Sequence, residues 1–101
     1  MNTIHAQFRI VEGKEAEAEA AIKTMAAAVE ANETGTLAYI FHRNKKDPAE
    51  VSVWEVYEDD AAAATHTGSQ HMAAFGRHFG PLFDPTTVKI TRLDRVAGFK
   101  R

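Results

Sequence analysis

Glu55 is a carboxylate within a strand-like run of apolar and aromatic residues. Burying a carboxylate without partners costs on the order of several kcal/mol, so this side chain must be hydrogen-bonded, protonated, solvated by a cavity or turned toward water. His66 and His71 follow within the reach of one helical hairpin. A carboxylate and two imidazoles near apolar side chains are the material of a small-molecule site, in which a few polar groups line an apolar pocket.

Aromatic side chains could form the walls of this pocket. Hydroxyl groups would come from Tyr39 and Tyr57, and flat apolar surfaces from Phe41, Phe75 and Phe79. Such surfaces hold planar aromatic molecules, and they are also common in the core of a small protein. Trp54 and Glu55 must lie on opposite faces of their strand because side chains alternate along it. Only one of these two residues can therefore line a given pocket, unless the strand bulges.

The elements that must position these residues alternate between strand and helix patterns. Period-two alternation predicts strands over residues 3–11, 36–43, 50–57 and 87–96. Apolar residues at helical spacing predict an amphipathic helix over residues 14–31, and Gly68 and Ser69 divide a second helix into residues 61–64 and 70–79. The order βαββαβ predicts an α+β ferredoxin-like plait, a four-stranded antiparallel sheet with helices on one face.

Both faces of the predicted sheet carry apolar residues. In the second strand Leu37, Tyr39 and Phe41 share one face, and Ala38, Ile40 and His42 share the other. Helices can cover only one face, and a second copy of the sheet is the simplest cover for the other. A chain of 101 residues also has a small core, which association would enlarge. We therefore expect a homodimer.

Length and composition predict a single domain over residues 1–101 and exclude several classes of protein. The absence of cysteine rules out disulfides, thiolate metal sites and a cysteine nucleophile. The formal net charge of −2 is spread without a basic stripe, so nucleic acid is not an expected partner. Without a signal-peptide pattern or an apolar run of about 20 residues, no membrane contact is expected, and the prediction is a soluble cytoplasmic protein.

The spacing of the histidines does not predict a metal site. His71 and His78 are seven residues apart on one predicted helix, about 10 Å along its axis, which is too far for one ion. His66 and His71 are five residues apart across Gly68 and lack the i, i+4 spacing of helical ligand pairs. We therefore expect no bound metal.

Several short motifs follow one another over nearly the whole chain. They are the turn at residues 35–39, the Asp47 and Pro48 loop, the strand at residues 53–59, an alanine run, and then His66 and His71. In this order they resemble the antibiotic biosynthesis monooxygenase family. The resemblance implies a homodimeric α+β barrel in which two plaits pack sheet to sheet. Members include cofactor-independent quinol and polyketide monooxygenases, haem-degrading enzymes and isomerases, so the fold does not determine the function.

The resemblance also implies roles for two residues. His66 matches the histidine that follows the alanine-rich helix start, and a neutral imidazole in an apolar pocket can remove a phenolic proton near neutral pH. Glu55 matches an acidic residue of the third strand and could orient His66 and raise its basicity. Alternatively, His66 caps a helix end, and Glu55 pairs with Arg43 or Arg92. The candidate substrate-binding residues are Tyr39, Trp54, His71, Phe75 and Phe79.

No cofactor is expected. The haem-degrading members carry tryptophan, asparagine and an axial histidine where this chain has His66, Ala6 and Gly76. No glycine-rich phosphate loop suggests a nucleotide or a flavin. The prediction is a cofactor-independent monooxygenase that uses dioxygen on a quinol-like, polyphenolic or polyketide small molecule. The alternatives are an isomerase of a small carbonyl metabolite and a non-catalytic dimeric ligand-binding domain.

Overall fold

Four strands and three helices make up the fold in the computed structural model, which describes residues Met1–Arg101. The elements are β1 (Asn2–Ile10), α1 (Glu15–Asn32), β2 (Thr36–Arg43), β3 (Glu50–Tyr57), α2 (Asp60–Thr67), α3 (Gln70–Gly76) and β4 (Phe83–Leu93). The strands form one antiparallel sheet in the order β2-β3-β1-β4. This topology confirms the predicted ferredoxin-like plait, with its second helix in two pieces.

The fourth strand begins earlier than its sequence pattern predicts. It starts at Phe83 rather than at residue 87, so Pro85 lies inside the strand. The pairing of β1 with β4 shifts between Gln7 and Arg9, which marks an irregularity in the ladder. A proline is tolerated at such a place because no ladder hydrogen bond is required of its nitrogen.

The core lies between the helices and one face of the sheet. Helix α1 contributes Ala18, Met25 and Val29 to it. Phe8 on β1 packs edge to face against Phe75, with ring centroids 6.4 Å apart. The remaining buried core residues are Ile10, Val51, Val53, Leu82 and Phe83. None of the helices is long and apolar enough to cross a membrane.

The second helix is divided by a pair of caps. The Asp59 carboxylate caps the start of α2 by accepting a hydrogen bond from the backbone N–H of Ala62 at 2.8 Å. Ser69 caps α3 by accepting the backbone N–H of Met72 at 3.1 Å. The chain therefore changes direction at Gly68, between His66 on α2 and the first turn of α3.

Gly35 is required for close packing rather than for a left-handed turn. Its φ angle is not positive. A Cβ atom at this position would lie 2.7 Å from the Cβ of Ala62. Helix α2 can therefore approach the start of β2 only because residue 35 has no side chain, and this approach places the end of α2 near the end of α1.

The sheet face opposite the helices carries exposed apolar side chains. Ile40 is 53% exposed and Trp54 is 41% exposed. The Trp54 ring stacks on the His5 ring, with centroids 4.3 Å apart. This outer face is apolar, as expected from the sequence, and no helix of the chain covers it.

Candidate active site

A cavity of about 270 Å³ lies between the helix-facing side of the sheet and helices α2 and α3. Most of its wall is apolar and includes Phe75, Phe79 and Met72. Its polar side chains are Tyr39, Glu55, Tyr57, His66, Thr67 and Arg92. The edge formed by β4 is the open side, since Val88 and Ile90 line the cavity and are 42% and 59% exposed. This is the form expected of a small-molecule site.

His66, in the last turn of α2, is held from one side and free on the other. Its Nδ1 lies 3.1 Å from each carboxylate oxygen of Glu33. Its Nε2 makes no hydrogen bond and lies 3.9 Å from Oε1 of Glu55. Every fully buried polar side-chain atom in the structure has a hydrogen-bond partner, so the unpartnered Nε2 must be reached from the cavity. Because the Glu33 carboxylate accepts a hydrogen bond from Nδ1–H, the lone pair of a neutral imidazole lies on Nε2.

Glu33 is the residue of the site that sequence reasoning missed. Its side chain is only 2% exposed. It accepts hydrogen bonds from the Thr36 hydroxyl at 2.7 Å, from His66, and from Nε2 of His71. The sequence did contain a signal, because a carboxylate just beyond the C-terminal end of a long helix is disfavoured by the helix dipole. Such a placement requires a compensating partner, and here the partners are two imidazoles.

The environment of Glu33 favours its ionised form. Burial by itself would raise the pKa of the Glu33 carboxyl, but the hydrogen bonds from His71 and Thr36 and the charge of His66 outweigh it. The net pKa therefore lies below its ordinary value. A carboxylate that stays charged behind Nδ1 can stabilise the imidazolium that forms when Nε2 takes up a proton.

Glu55 lies on the helix-facing side of β3, and its environment, unlike that of Glu33, favours the protonated carboxyl. It accepts a hydrogen bond from the Tyr57 hydroxyl at 2.5 Å. Burial raises the pKa of the Glu55 carboxyl, and the Tyr57 hydrogen bond and His66 only partly offset this. Glu55 forms no ion pair with an arginine, since Arg43 contacts Glu19 at 3.8 Å and Arg92 has no carboxylate within salt-bridge distance. The residue that orients His66 is thus Glu33, whereas Glu55 faces the free Nε2.

The other candidate residues divide between three places. Tyr39, Phe75 and Phe79 line the cavity. Trp54 lies on the outer face of the sheet, because it alternates with Glu55 along β3, and so it does not line this cavity. His71 lies behind His66, where it contacts Glu33 rather than the cavity.

Burial also affects the two tyrosines of the cavity. It raises the pKa of the Tyr39 hydroxyl, and nearby Glu55 raises it further. The same burial and the Glu55 hydrogen bond raise the pKa of Tyr57. Both hydroxyls therefore stay protonated and can act as hydrogen-bond donors, not as bases.

Glu33, His66 and His71 are also the residues that could hold a metal ion, because their ligand atoms all lie within 4.8 Å of one another. The spacing of the histidines did not predict this cluster, because its third member, Glu33, lies far away in the sequence. The break at Gly68 places His71 on a separate helix, whose first turn faces the end of α1.

Comparison with known proteins places this chain in a family. Residues 1–77 match the family of antibiotic biosynthesis monooxygenases. The chain belongs to this family. A candidate antibiotic biosynthesis monooxygenase from Caulobacter crescentus CB15 has a similar structure, with 31% sequence identity, a TM-score of 0.87, and coverage of 95% of this chain and 90% of that one. The match confirms the predicted resemblance and supports a generic monooxygenase-like role.

Two further structures share the fold. PA3566 from Pseudomonas aeruginosa is 28% identical, with a TM-score of 0.85 and coverage of 95% of this chain and 94% of that chain. Rv0793 from Mycobacterium tuberculosis is 20% identical, with a TM-score of 0.85 and coverage of 98% of both chains. No functionally curated protein is significantly similar to this chain.

Replacing Glu55 by glutamine is expected to stabilise the protein at pH 8 by about 0.5–2 kcal/mol. The substitution removes a desolvated charge from the cavity wall and keeps an acceptor for the Tyr57 hydroxyl. The raised pKa of Glu55 means that its wild-type contribution to stability is present below the unfolded pKa and is lost as pH rises through the folded pKa. The gain should therefore disappear below about pH 4. Urea denaturation at both pH values measures it.

The exposed Glu30→Gln is the matched control for the Glu55 substitution, and its effect should stay within about 0.5 kcal/mol at either pH. A Glu55→Gln protein that is less stable than wild type at pH 8 would show that the Glu55 charge is compensated in the fold.

Proposed function

We propose that this protein is a cofactor-independent monooxygenase that oxidises a quinol-like or polyphenolic substrate, with His66 as the general base. The observation that carries the proposal is the two-sided environment of His66. Its Nδ1 is held by Glu33, and its Nε2 is free at an aromatic cavity. The generic monooxygenase-like role of the family agrees with this assignment.

The first chemical step would be proton transfer. A substrate hydroxyl beside Nε2 gives its proton to His66, and the Glu33 carboxylate stabilises the resulting imidazolium through Nδ1. The Tyr39 hydroxyl lies on the cavity wall and can donate a hydrogen bond to a substrate oxygen, whereas the Tyr57 hydroxyl donates to Glu55. Loss of the proton makes the substrate an electron-rich phenolate, which is the form that reacts with dioxygen.

The second step needs only the phenolate and dioxygen. A quinol with a free ring position gives four electrons to O₂ in total. One oxygen atom replaces the hydrogen of a ring C–H bond as a hydroxyl, the two quinol hydroxyls become carbonyls, and the second oxygen atom leaves as water. No external reductant is required, because the substrate supplies every electron. The protein contributes deprotonation, orientation and exclusion of water.

The cavity limits the size and shape of the substrate. Its volume of about 270 Å³ exceeds the roughly 150 Å³ that holds a benzene ring in a protein interior. Phe75 and Phe79 provide flat surfaces against which an aromatic ring can pack. These dimensions favour a substrate of two fused rings, such as a naphthoquinol.

The proposal predicts oxygen transfer to bicyclic quinols without a cofactor. Metal-stripped protein is incubated with naphthoquinols under ¹⁸O₂, without reductant and beside a protein-free control for autoxidation. We expect protein-dependent oxygen uptake, with one labelled oxygen atom in the organic product and one in water. Turnover that persists under nitrogen would overturn the proposal in favour of the isomerase, and binding without turnover would overturn it in favour of a ligand-binding domain.

We also infer that the protein is a homodimer that pairs through the outer face of the sheet. Ile40 and Trp54 lie on this face, and they are 53% and 41% exposed in the single chain. Large apolar side chains grouped on one uncovered face are characteristic of an interaction surface. A second copy of the same sheet would bury both residues and complete a barrel of two plaits.

Replacing Ile40 by glutamate should weaken the dimer about 100-fold or more. It removes the burial of a half-exposed apolar side chain, worth roughly 1 kcal/mol in each subunit, and places two charges in the interface. Sedimentation velocity over a range of concentrations measures this change. Val96→Glu, in the tail at 96% exposure, is the control and should not alter the association. A wild-type protein that sediments as a monomer at high micromolar concentration would contradict the inference.

A further inference from the structure

We propose that Glu33, His66 and His71 form a binding site for a divalent transition metal ion such as Zn²⁺. The three side chains come from separate elements. Glu33 follows the end of α1, His66 lies in the last turn of α2, and His71 lies in the first turn of α3. One carboxylate and two imidazoles are a common ligand set for zinc and other first-row transition metals.

The positions of the ligand atoms suit a single ion. Nδ1 of His66 lies 3.1 Å from Oε2 of Glu33, and all three ligand atoms lie within 4.8 Å of one another. Two ligand atoms that each lie about 2.1 Å from a tetrahedral ion are ~3.4 Å apart. The most distant pair of the cluster therefore needs to approach by at most about 1.4 Å, which side-chain rotation can supply. His71, with a side chain 18% exposed, is the part of the cluster nearest to solvent and marks the route of entry.

Residues around the cluster support its ligands as they do in known metal sites. The Thr36 hydroxyl donates to Oε1 of Glu33 at 2.7 Å. On the far side of the His66 ring, Oε1 of Glu55 lies 3.9 Å from Nε2 and is held by the Tyr57 hydroxyl. Metal-binding imidazoles usually donate their second N–H to a carboxylate, and with an ion on Nδ1 the Nε2–H would be directed toward Glu55. Thr36 thus orients Glu33, and Glu55 lies where it can orient His66.

The charge of Glu33 provides a further reason to bind a cation. Its carboxylate is almost fully buried, and its ionic contacts are the two imidazoles, without a lysine or an arginine. A buried carboxylate is stable only when it is paired with a positive charge or bound to a metal. A divalent ion at this position would compensate the charge and leave both histidines neutral, which is the state in which imidazole binds metals.

Metal binding and general-base catalysis would exclude each other at His66, a consequence that rests on the proposed function. An ion bonded to Nδ1 displaces the proton that Nδ1 otherwise donates to Glu33. A neutral imidazole then carries its proton on Nε2, the atom that faces the cavity. The ring can no longer accept a proton from a substrate there. The metal would therefore act as an inhibitor of the reaction.

Calorimetric titration of metal-stripped, tag-free protein with Zn²⁺ tests the site. We expect one ion per chain, and an affinity at least about 10–100-fold weaker in His71→Ala. His78→Ala, which changes a histidine outside the cluster, should bind like wild type. Circular dichroism of the metal-free variants verifies that each is folded. Absence of saturable binding to the wild type, or equal affinity in His71→Ala, would overturn the proposal.

A turnover measurement separates this proposal from the proposed function. Zn²⁺ should stop quinol oxidation by the wild type with the same midpoint as binding, and it should have little effect at that concentration on the residual turnover of His71→Ala. Turnover that continues with the site saturated would overturn the inhibitory role. If the metal-stripped protein oxidises no quinol, the proposed function fails, and calorimetry still decides whether the metal site exists.

Discussion

Replacing His66 by alanine should lower kcat for quinol oxidation by about 10²–10⁴-fold, the usual contribution of a positioned general base. The substitution removes the only imidazole nitrogen that faces the cavity, and none of the tyrosine hydroxyls can replace it because burial raises their pKa values. The loss should appear mainly in kcat, since Phe75 and Phe79 still bind the aromatic rings. Initial rates of oxygen uptake over a range of substrate concentrations measure it.

His78→Gln is the matched control for this experiment, because His78 is a histidine of the same region that lies outside both the cavity wall and the Glu33 cluster. Its kcat should remain within about twofold of wild type. Thermal unfolding of both variants distinguishes lost chemistry from lost structure. A folded His66→Ala protein with a kcat close to that of wild type would show that His66 is not the general base.

Replacing Glu33 by alanine should destabilise the protein by about 3–5 kcal/mol, as expected when one partner of a buried ionic group is removed. Nδ1 of His66, Nε2 of His71 and the Thr36 hydroxyl would all lose their acceptor. Domains of this size are stable by only about 5–15 kcal/mol, so the loss is a large part of the total. Urea denaturation at pH 7 in the presence of EDTA measures the effect.

The stabilisation that Glu33 provides should decrease as the pH is lowered. The folded-state pKa of Glu33 is lowered, so its contribution is present above its ordinary value of 4.5 and is lost as pH falls through the folded-state pKa. Wild type and variant should thus converge in acid. Glu30→Ala, which removes an exposed carboxylate from the last turn of α1, should change stability by no more than about 0.5 kcal/mol. Equal stability of Glu33→Ala and wild type at pH 7 would contradict the role assigned to Glu33.

Strands β2 and β3 were predictable because two runs rich in β-branched and aromatic residues flank the polar loop at Asp47 and Pro48. Their limits, residues 36–43 and 50–57, agree with the prediction. The start of β4 does not follow from it, because Pro85 signals a loop. Only the pairing with β1, which absorbs the proline at an irregularity, makes those residues part of the sheet.

The candidate site could be predicted only in part, because it depends on contacts between distant elements. Glu55 and His66 stand out in the sequence, and they lie at one cavity. Whether Glu55 or Trp54 lines the cavity depends on which face of the sheet the helices cover, and the sequence alone does not show this. Glu33 lies 33 residues before His66, and only the approach of α2 at Gly35 brings the two together. Nothing in the local sequence pattern reports that approach.

The most direct test of the account is the absorption spectrum of a naphthoquinol bound to metal-stripped protein without oxygen. Without dioxygen the bound quinol cannot be oxidised, so its absorption spectrum reports proton transfer alone. We predict the band of the phenolate in the wild type at pH 7, and the neutral quinol in His66→Ala at equal occupancy. A neutral quinol in both complexes, or a phenolate in both, would show that His66 is not the base and would contradict the account.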